Sequence, residues 1–85
     1  MRGRWEVAWS HAGLWALREL PWRDAALVDA AVMRFAATGE GVVAPIYGDP
    51  TDIRLTVPPY GVRLGVDPFE RVLTVWWMVR RTGGA

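Results

Sequence analysis

The segment VLTVWWMVRR, residues 72–81, constrains the fold of this chain more than any other. Its β-branched and aromatic residues predict a strand, but apolar side chains would lie on both faces of that strand rather than on one. Such a strand must be covered on both sides, either by its own chain or by a partner. The sequence therefore predicts a sheet that packs on one face and presents a second, partly apolar face, next to the arginines that follow.

The length and the residue types exclude several classes of protein. With 85 residues we expect one small domain over residues 1–85. There is no cysteine and only one histidine, which excludes disulfides, thiolate metal sites and histidine clusters, and we expect no metal or other cofactor. The N-terminal MRGRWEVAW contains Glu6 within a strand-like alternation, unlike a signal peptide, and no apolar run is long enough to span a bilayer. We expect a cytoplasmic protein without membrane association.

The charged and aromatic residues indicate the kind of surface. A net charge of +1 excludes a broadly basic nucleic-acid-binding protein. All ten basic residues are arginine, as a GC-rich genome would produce without selection. Any basic site must nevertheless consist of guanidinium groups, which stay charged and bind phosphate through two hydrogen bonds. The six tryptophans exceed what one small core needs, so we expect some of them on a partner-binding surface.

Hydrophobic periodicity predicts one strand and two helices in the N-terminal half. RWEVAW, residues 4–9, alternates as a half-buried strand, and Ser10 is placed to cap a helix over residues 11–20. Proline then breaks that helix, and a second one is predicted over residues 21–39, ending at Gly39. Its apolar stripe contains Val28, Val32 and Phe35.

The C-terminal half is predicted to form the rest of the sheet. EGVVAPIYGDPT, residues 40–51, contains three turn signals and is predicted to be a surface loop. Strands follow over residues 52–57, 62–66 and 71–81. The predicted fold is α+β in the order β-α-α-β-β-β, with a helical pair packed on one face of a mainly antiparallel four-stranded sheet.

The sheet face turned away from the helices would carry two arginines. A two-residue turn at residues 58–59 sets Arg54 directly opposite Arg63, a four-residue turn sets them diagonally, and a three-residue turn separates them. Facing like charges cost about 0.2–1 kcal/mol, which a bound anion would offset. The alternative is that both are solvated arginines paired with Asp52 and Asp67.

The end of the last strand would add one more arginine. Strand alternation places either Arg80 or Arg81 on the face of Arg63, and the turn DPFE, residues 67–70, decides between them. A two-residue connection selects Arg80 and a bulged one selects Arg81. A solvated strand end is the alternative for both.

Aromatic and sulfur-containing residues give further candidates. Tyr60, expected in a turn, could stack on a base. In the last strand Trp76, Trp77 and Met78 are candidates for a surface that a partner covers. No Ser/His/Asp set, Walker loop or dinucleotide-binding fingerprint is present in the sequence.

In order and spacing, these segments resemble the RelE/ParE superfamily of type II toxin–antitoxin toxins. The matching segments are WEVAWS, RELPWRDAALVDAAVMRFA, YGDPTDIRLTV, GVRLGVD and VLTVWWMVRR, which together cover nearly the full chain. The resemblance implies a RelE-like fold, a toxin, and a cognate antitoxin protein as its partner.

RelE-like members are implied to cut messenger RNA in the ribosomal A site, by helping a 2′-hydroxyl attack the adjacent phosphate. The resemblance therefore implies an endoribonuclease that inhibits translation, with the ribosome and mRNA as its targets. By position, Arg63 matches the arginine of the family's Gly-Tyr-Arg strand, and Arg54 matches a basic position in the preceding strand. Arg80 or Arg81 matches the basic end of the last strand. These four arginines are the candidate catalytic residues and, with Tyr60, the candidate RNA contacts.

Three departures from the family pattern leave alternatives open. Val62 replaces a tyrosine, the chain has no lysine, and the final TGGA lacks the catalytic tyrosine found in the tail of many RNA-cleaving members. The residues that would transfer protons are therefore unassigned. One alternative is a ParE-like toxin that acts on DNA gyrase by protein contact, without nuclease activity. Another is a non-toxic interaction module that retains the fold. The oligomeric state is also open, since two apolar faces could serve a homodimer as easily as a complex with another protein.

Overall fold

The computed structural model describes residues 4–81, which form two helices on one face of a five-stranded sheet. The strands are β1 (Glu6–Trp9), β2 (Val42–Ile46), β3 (Asp49–Val57), β4 (Tyr60–Asp67) and β5 (Val72–Arg80), and the helices are α1 (His11–Arg18) and α2 (Trp22–Thr38). The strands lie in the order β1-β5-β4-β3-β2; β1 is parallel to β5, and the other neighbours are antiparallel. This confirms an α+β fold with a mainly antiparallel sheet. Neither helix is long and apolar enough to cross a membrane.

The prediction of four strands is wrong because one edge strand has no hydrophobic alternation. Val42–Ile46, expected in a surface loop, pairs with β3 as strand β2. Its side chains are exposed except for the half-buried Ile46, and Pro45 is tolerated because the strand lies at a sheet edge. The turn signals in this region are those of the hairpin between β2 and β3, where Tyr47 and Gly48 have φ values of 51° and 75°.

Ser10 caps α1 as predicted. Its Oγ accepts a hydrogen bond from the backbone nitrogen of Gly13 at 2.9 Å. The helix lies against β5 at this point, since a Cβ on Gly13 would come within 2.2 Å of the carbonyl oxygen of Val75. A residue without a side chain is therefore required where the first helix crosses the last strand.

Helix α2 supplies the helical side of the core. Val28, Val32 and Phe35 are buried, which confirms the predicted stripe, and Gly39 ends the helix in the left-handed conformation. Alternate residues of three strands pack beneath the helices: Ile53, Leu55, Val57, Tyr60, Val62, Leu64, Leu73, Val75 and Met78. We call this side of the sheet the inner face and the opposite side the outer face.

Candidate functional site

Two arginines lie opposite each other on the outer face. Strands β3 and β4 are joined by the two-residue turn at residues 58–59, and Arg54 pairs directly with Arg63 in the register. Their neighbours Leu55 and Val62 are buried on the inner face, so the arginines lie on the outer one. The structure thus has the register that a two-residue turn predicts.

A bulge in β5 determines which of the terminal arginines joins them. Arg63 pairs with Trp77, whereas the next residue of β4, Leu64, pairs with Val75. Trp76 is therefore an extra residue in β5, and the alternation of side chains reverses beyond it. The sequence pattern predicts that the turn at residues 67–70 selects between Arg80 and Arg81. In the structure, a bulge within the pair of strands makes that selection.

This reversal places Arg81 on the outer face and Arg80 on the inner one. Arg80 pairs in register with Tyr60, which is buried beneath the helices. Arg81 instead reaches Gly61, because a Cβ on that glycine would lie 3.6 Å from the Cδ of Arg81. Arg80 is therefore removed from the set of residues that could act together with Arg63.

Arg54 and Arg81 converge over Gly61. A Cβ on Gly61 would lie only 3.1 Å from the Cδ of Arg54, so both arginine stems lie against a backbone that has no side chain. Neither arginine forms an ion pair with a carboxylate of residues 4–81. The Nε of Arg54 is buried and has no hydrogen-bond partner within the same residues. Two arginines whose stems meet on one face, neither paired with a carboxylate of residues 4–81, are suited to bind an anion.

Arg63 is already paired with a carboxylate. Its Nε donates to Oδ1 of Asp52 at 2.9 Å and its Nη2 donates to Oδ2 at 2.5 Å. These hydrogen bonds, followed by the charge of Asp52, raise the pKa of Arg63. The Arg63 side chain is more than half exposed and that of Asp52 is partly exposed, so the pair orients the guanidinium group more than it stabilises the fold. Pairing with Asp52, the alternative drawn from the sequence, is correct for Arg63 but not for Arg54.

A hollow of about 500 Å³ lies beside this ion pair. It is lined by Thr51, Asp52, Arg63, Gly65, Trp76 and Trp77. The bulge brings both tryptophans to the outer face, where each is about half exposed. The indole of Trp76 lies over Gly65, since a Cβ on that glycine would come within 2.3 Å of its Nε1. The glycines on either side of Arg63 thus make room for the side chains of neighbouring strands.

Thr51, close to the hairpin between β2 and β3, lines one side of the hollow. Oδ1 of Asp49 accepts hydrogen bonds from the hydroxyl and the backbone nitrogen of Thr51, at 2.7 and 2.8 Å, and these bonds lower the pKa of Asp49. Tyr47 is fully exposed in the same hairpin, and its hydroxyl has a small raising effect on the pKa of Arg63. Within residues 4–81, no group of three or more histidine, aspartate or glutamate side chains could hold a metal ion.

Ser10 connects the helix cap to the bulge. The hydroxyl that caps α1 also donates to the carbonyl oxygen of Trp76 at 3.1 Å, and the backbone nitrogen of Ser10 donates to Val75 at 3.0 Å. The sequence predicts the cap but not this second bond, because the two residues are 66 positions apart. The doubled tryptophan within an alternating strand is the one signal that could have indicated the bulge.

Two of the candidates belong to the core. Tyr60 begins β4 and is only 2% exposed on the inner face, where its hydroxyl donates to the carboxylate of Asp24 in α2. This bond and, to a smaller extent, burial raise the pKa of Tyr60. A ring in this position cannot stack on a base, so the prediction of an RNA contact for Tyr60 is wrong. Met78 is buried as well, which leaves Trp76 and Trp77 as the exposed part of the predicted partner surface.

The fold has a counterpart among solved structures. No protein-family model matches the chain, and no curated protein sequence does. A chain in the crystal structure of the toxin–antitoxin complex RelBE2 from Mycobacterium tuberculosis is similar to it, with a TM-score of 0.73 and 17% sequence identity. The similarity covers 98% of both chains. At this identity it establishes the fold, and it confirms the RelE-like architecture predicted from the sequence.

Proposed function

We propose that this chain is the toxin of a type II toxin–antitoxin pair and that it inhibits translation by cutting ribosome-bound mRNA. The fold that it shares with a chain of the RelBE2 complex supports a role as a toxin–antitoxin component. The RNA part of the proposal rests on one observation. Arg54 and Arg81, without carboxylate partners in residues 4–81, converge over Gly61 on an open face.

The expected chemistry needs cations at this point. When a ribose 2′-oxygen attacks the adjacent phosphorus and the 5′-oxygen leaves, negative charge accumulates on the phosphoryl oxygens. Guanidinium groups already aimed at that position stabilise the charge without reorganisation, and removal of one such donor typically reduces catalysis by about 10²–10³. Gly61 is buried beneath the stems of Arg54 and Arg81, so the phosphate would bind to their guanidinium groups and not to the backbone.

Arg63 has a secondary part in this proposal. Two of its five N–H donors are taken by Asp52, so it retains donors for RNA while its charge is largely neutralised. Arg63 would therefore contact and orient the RNA strand, and Arg54 with Arg81 would hold the reacting phosphate. Loss of Arg63 should reduce activity less than loss of either of the other two.

The antitoxin is proposed to cover the same outer face. Trp76, Trp77 and Val79 expose apolar surface there, each about half accessible. This surface lies beside unpaired arginines that would attract an acidic segment. A partner that buries these side chains would exclude RNA from Arg54 and Arg81. Binding of the antitoxin would therefore by itself inhibit the toxin.

Induced expression in a bacterium, together with cleavage of ribosome-bound mRNA by the purified chain, tests the proposal. The wild-type chain should arrest growth and cut mRNA. Arg54→Ala and Arg81→Ala should each lower the cleavage rate by about 100-fold. Arg80→Ala is the matched control, because this neighbouring arginine lies on the inner face, and it should retain activity.

Two outcomes would contradict the proposal in different ways. Growth arrest with intact mRNA and inhibited gyrase supercoiling would show that RNA is not the target. Unchanged cleavage by the Arg54→Ala/Arg81→Ala double variant would keep RNA as the target but remove the phosphate site from these residues.

A further inference from the structure

We infer that the hollow beside Arg63 is a subsite for one unstacked nucleobase of single-stranded RNA, whose adjoining phosphate lies on Arg54 and Arg81. The inference rests on the proposed function, because it assigns the base that accompanies the phosphate on the same face. The hollow, at about 500 Å³, is open and has room for a base, and two tryptophans line it.

The two tryptophans provide a stacking surface. A regular strand would send adjacent residues to opposite faces, but the bulge brings both Trp76 and Trp77 to the outer one. The indole of Trp76 is held over Gly65, so its position is fixed by the backbone beneath it. Half-exposed rings of this kind are where bases of single-stranded nucleic acids stack, with little dependence on sequence.

The ion pair provides hydrogen bonds for the edge of the base. A carboxylate has about four lone-pair sites and a guanidinium group has five N–H donors. Asp52 and Arg63 use only two of each in bonding to one another. The wall of the hollow therefore offers acceptors beside donors. The exposed edge of an unstacked base carries the complementary pattern, which an apolar side chain of a protein partner lacks.

The sheet sets the distance between the base and its phosphate. Gly61, beneath the paired arginine stems, and Arg63 are two residues apart on β4, which corresponds to about 6–7 Å along a strand. Trp77 is the register partner of Arg63 on the neighbouring strand. The stems of Arg54 and Arg81 and the ring of Trp77 therefore start from neighbouring positions of the sheet, so the arginines would bind the phosphate of the nucleotide whose base stacks on Trp77.

The charges around the hollow favour RNA over an apolar peptide. Arg54 and Arg81 have no carboxylate partner in residues 4–81, and the Nε of Arg54 is buried without an acceptor there. An apolar segment seated on the tryptophans would leave the two guanidinium charges without a counter-charge, whereas the phosphates of RNA supply one.

The test is equilibrium binding of the purified chain to a short dye-labelled RNA that carries 2′-O-methyl groups, which prevent attack by the 2′-oxygen. A second RNA has abasic units in place of its central nucleotides, so that it retains the phosphates and lacks the bases. The wild-type chain should bind the intact RNA on the order of 10- to 100-fold more tightly than the abasic RNA.

The tryptophan variants should remove this difference. Trp76→Ala and Trp77→Ala are expected to weaken binding of the intact RNA by a similar factor while hardly changing binding of the abasic RNA. Trp77→Phe should restore most of the affinity, because it keeps an aromatic ring. Trp22→Ala is the matched control: Trp22 is 75% exposed at the start of α2, and its loss should affect neither RNA. Thermal unfolding verifies that every variant is folded.

Three results would overturn the inference. The first is equal affinity of the wild-type chain for both RNAs, or no binding of either. The second is a loss of affinity in the tryptophan variants that is the same for intact and abasic RNA. In the third, the tryptophan variants bind RNA normally but no longer bind the antitoxin, which would assign the rings to the protein partner. The proposed function is judged separately, by whether the wild-type chain cuts ribosome-bound mRNA and whether Arg54→Ala and Arg81→Ala each lower the cleavage rate.

Discussion

The inner and outer faces of the sheet are formed by the same strands but differ in residue type and in the regularity of side-chain alternation. On the inner face, apolar side chains alternate regularly and are buried beneath the helices. The outer face combines arginines with an ion pair, two half-exposed tryptophans and glycines that make room for them. Its arrangement depends on one extra residue, Trp76. The comparison indicates that stability and candidate chemistry lie on opposite sides of one sheet, so mutations should be able to separate them.

The largest expected effect is on activity alone. The double variant Arg54→Ala/Arg81→Ala should lower the rate of RNA cleavage by about 10³ or more, because no cation would be left over Gly61. Its free energy of unfolding, measured by urea titration, should change by no more than about 0.5 kcal/mol. A strongly destabilised double variant would contradict the view that the outer face contributes to activity and not to stability.

The next effect is on stability alone, and two valines of β5 provide a matched pair. Val75 is fully buried on the inner face and Val79 is half exposed on the outer one. Val75→Ala should reduce the free energy of unfolding by about 1.5–3 kcal/mol, the usual benefit of burying such a side chain. Val79→Ala should change it by less than about 0.5 kcal/mol. Equal losses in urea titrations would show that the outer face contributes to the core after all.

Substitutions of Ser10 should have a smaller effect, on both the stability of the fold and RNA binding at the outer face. Ser10→Ala removes both the helix cap and the bond to Trp76, and should cost about 0.5–2 kcal/mol of stability. Ser10→Asp keeps a capping acceptor but cannot donate to the bulge, so it should retain much of that stability while RNA binding falls. Ser10→Thr should preserve both. If Ser10→Asp binds RNA as well as the wild-type chain does, the bond to Trp76 does not position the outer face.

The smallest effect is confined to alkaline solution. Because the hydrogen bond to Asp24 and burial raise the pKa of Tyr60, the folded state holds the phenol proton more tightly than the unfolded state does. The stabilisation from Tyr60 is therefore complete below its ordinary pKa of about 10, and it is lost as the pH rises through the higher folded-state value. The difference in unfolding free energy between wild type and Tyr60→Phe should stay constant from about pH 7 to 9 and shrink above about pH 10. A constant difference up to about pH 11 would contradict this assignment.

Local patterns account for the parts of the fold that could be predicted. The buried stripe of Val28, Val32 and Phe35 follows from helical periodicity, and the helix boundaries at Ser10 and Gly39 follow from capping chemistry. Strand β2 could not be predicted in this way. Its side chains are exposed on both faces, and it is held by backbone pairing with β3, which leaves no hydrophobic pattern in the sequence.

The candidate site likewise contains features that local sequence patterns predict and features that depend on contacts between distant parts of the chain. Strand alternation predicts that Arg54 and Arg63 share a face for two of the three turn lengths that the sequence leaves open, and the two-residue turn of the structure sets them opposite each other. The choice of Arg81 over Arg80 depends on the bulge at Trp76, and that bulge is bonded to Ser10 from a distant part of the chain. No local pattern carries this information, because the contact exists only once helix and sheet have come together.

Because Arg80 and Arg81 are consecutive, the outer face can tolerate the gain or loss of the bulge in β5. If β5 lost the bulge but kept Trp76, its residues beyond Trp76 would shift by one position along β4, and Arg80 would reach the outer face in place of Arg81. In either register one guanidinium group is delivered beside Gly61. A lineage that gains or loses the bulge would therefore keep a cation at this position, although a different codon would encode it.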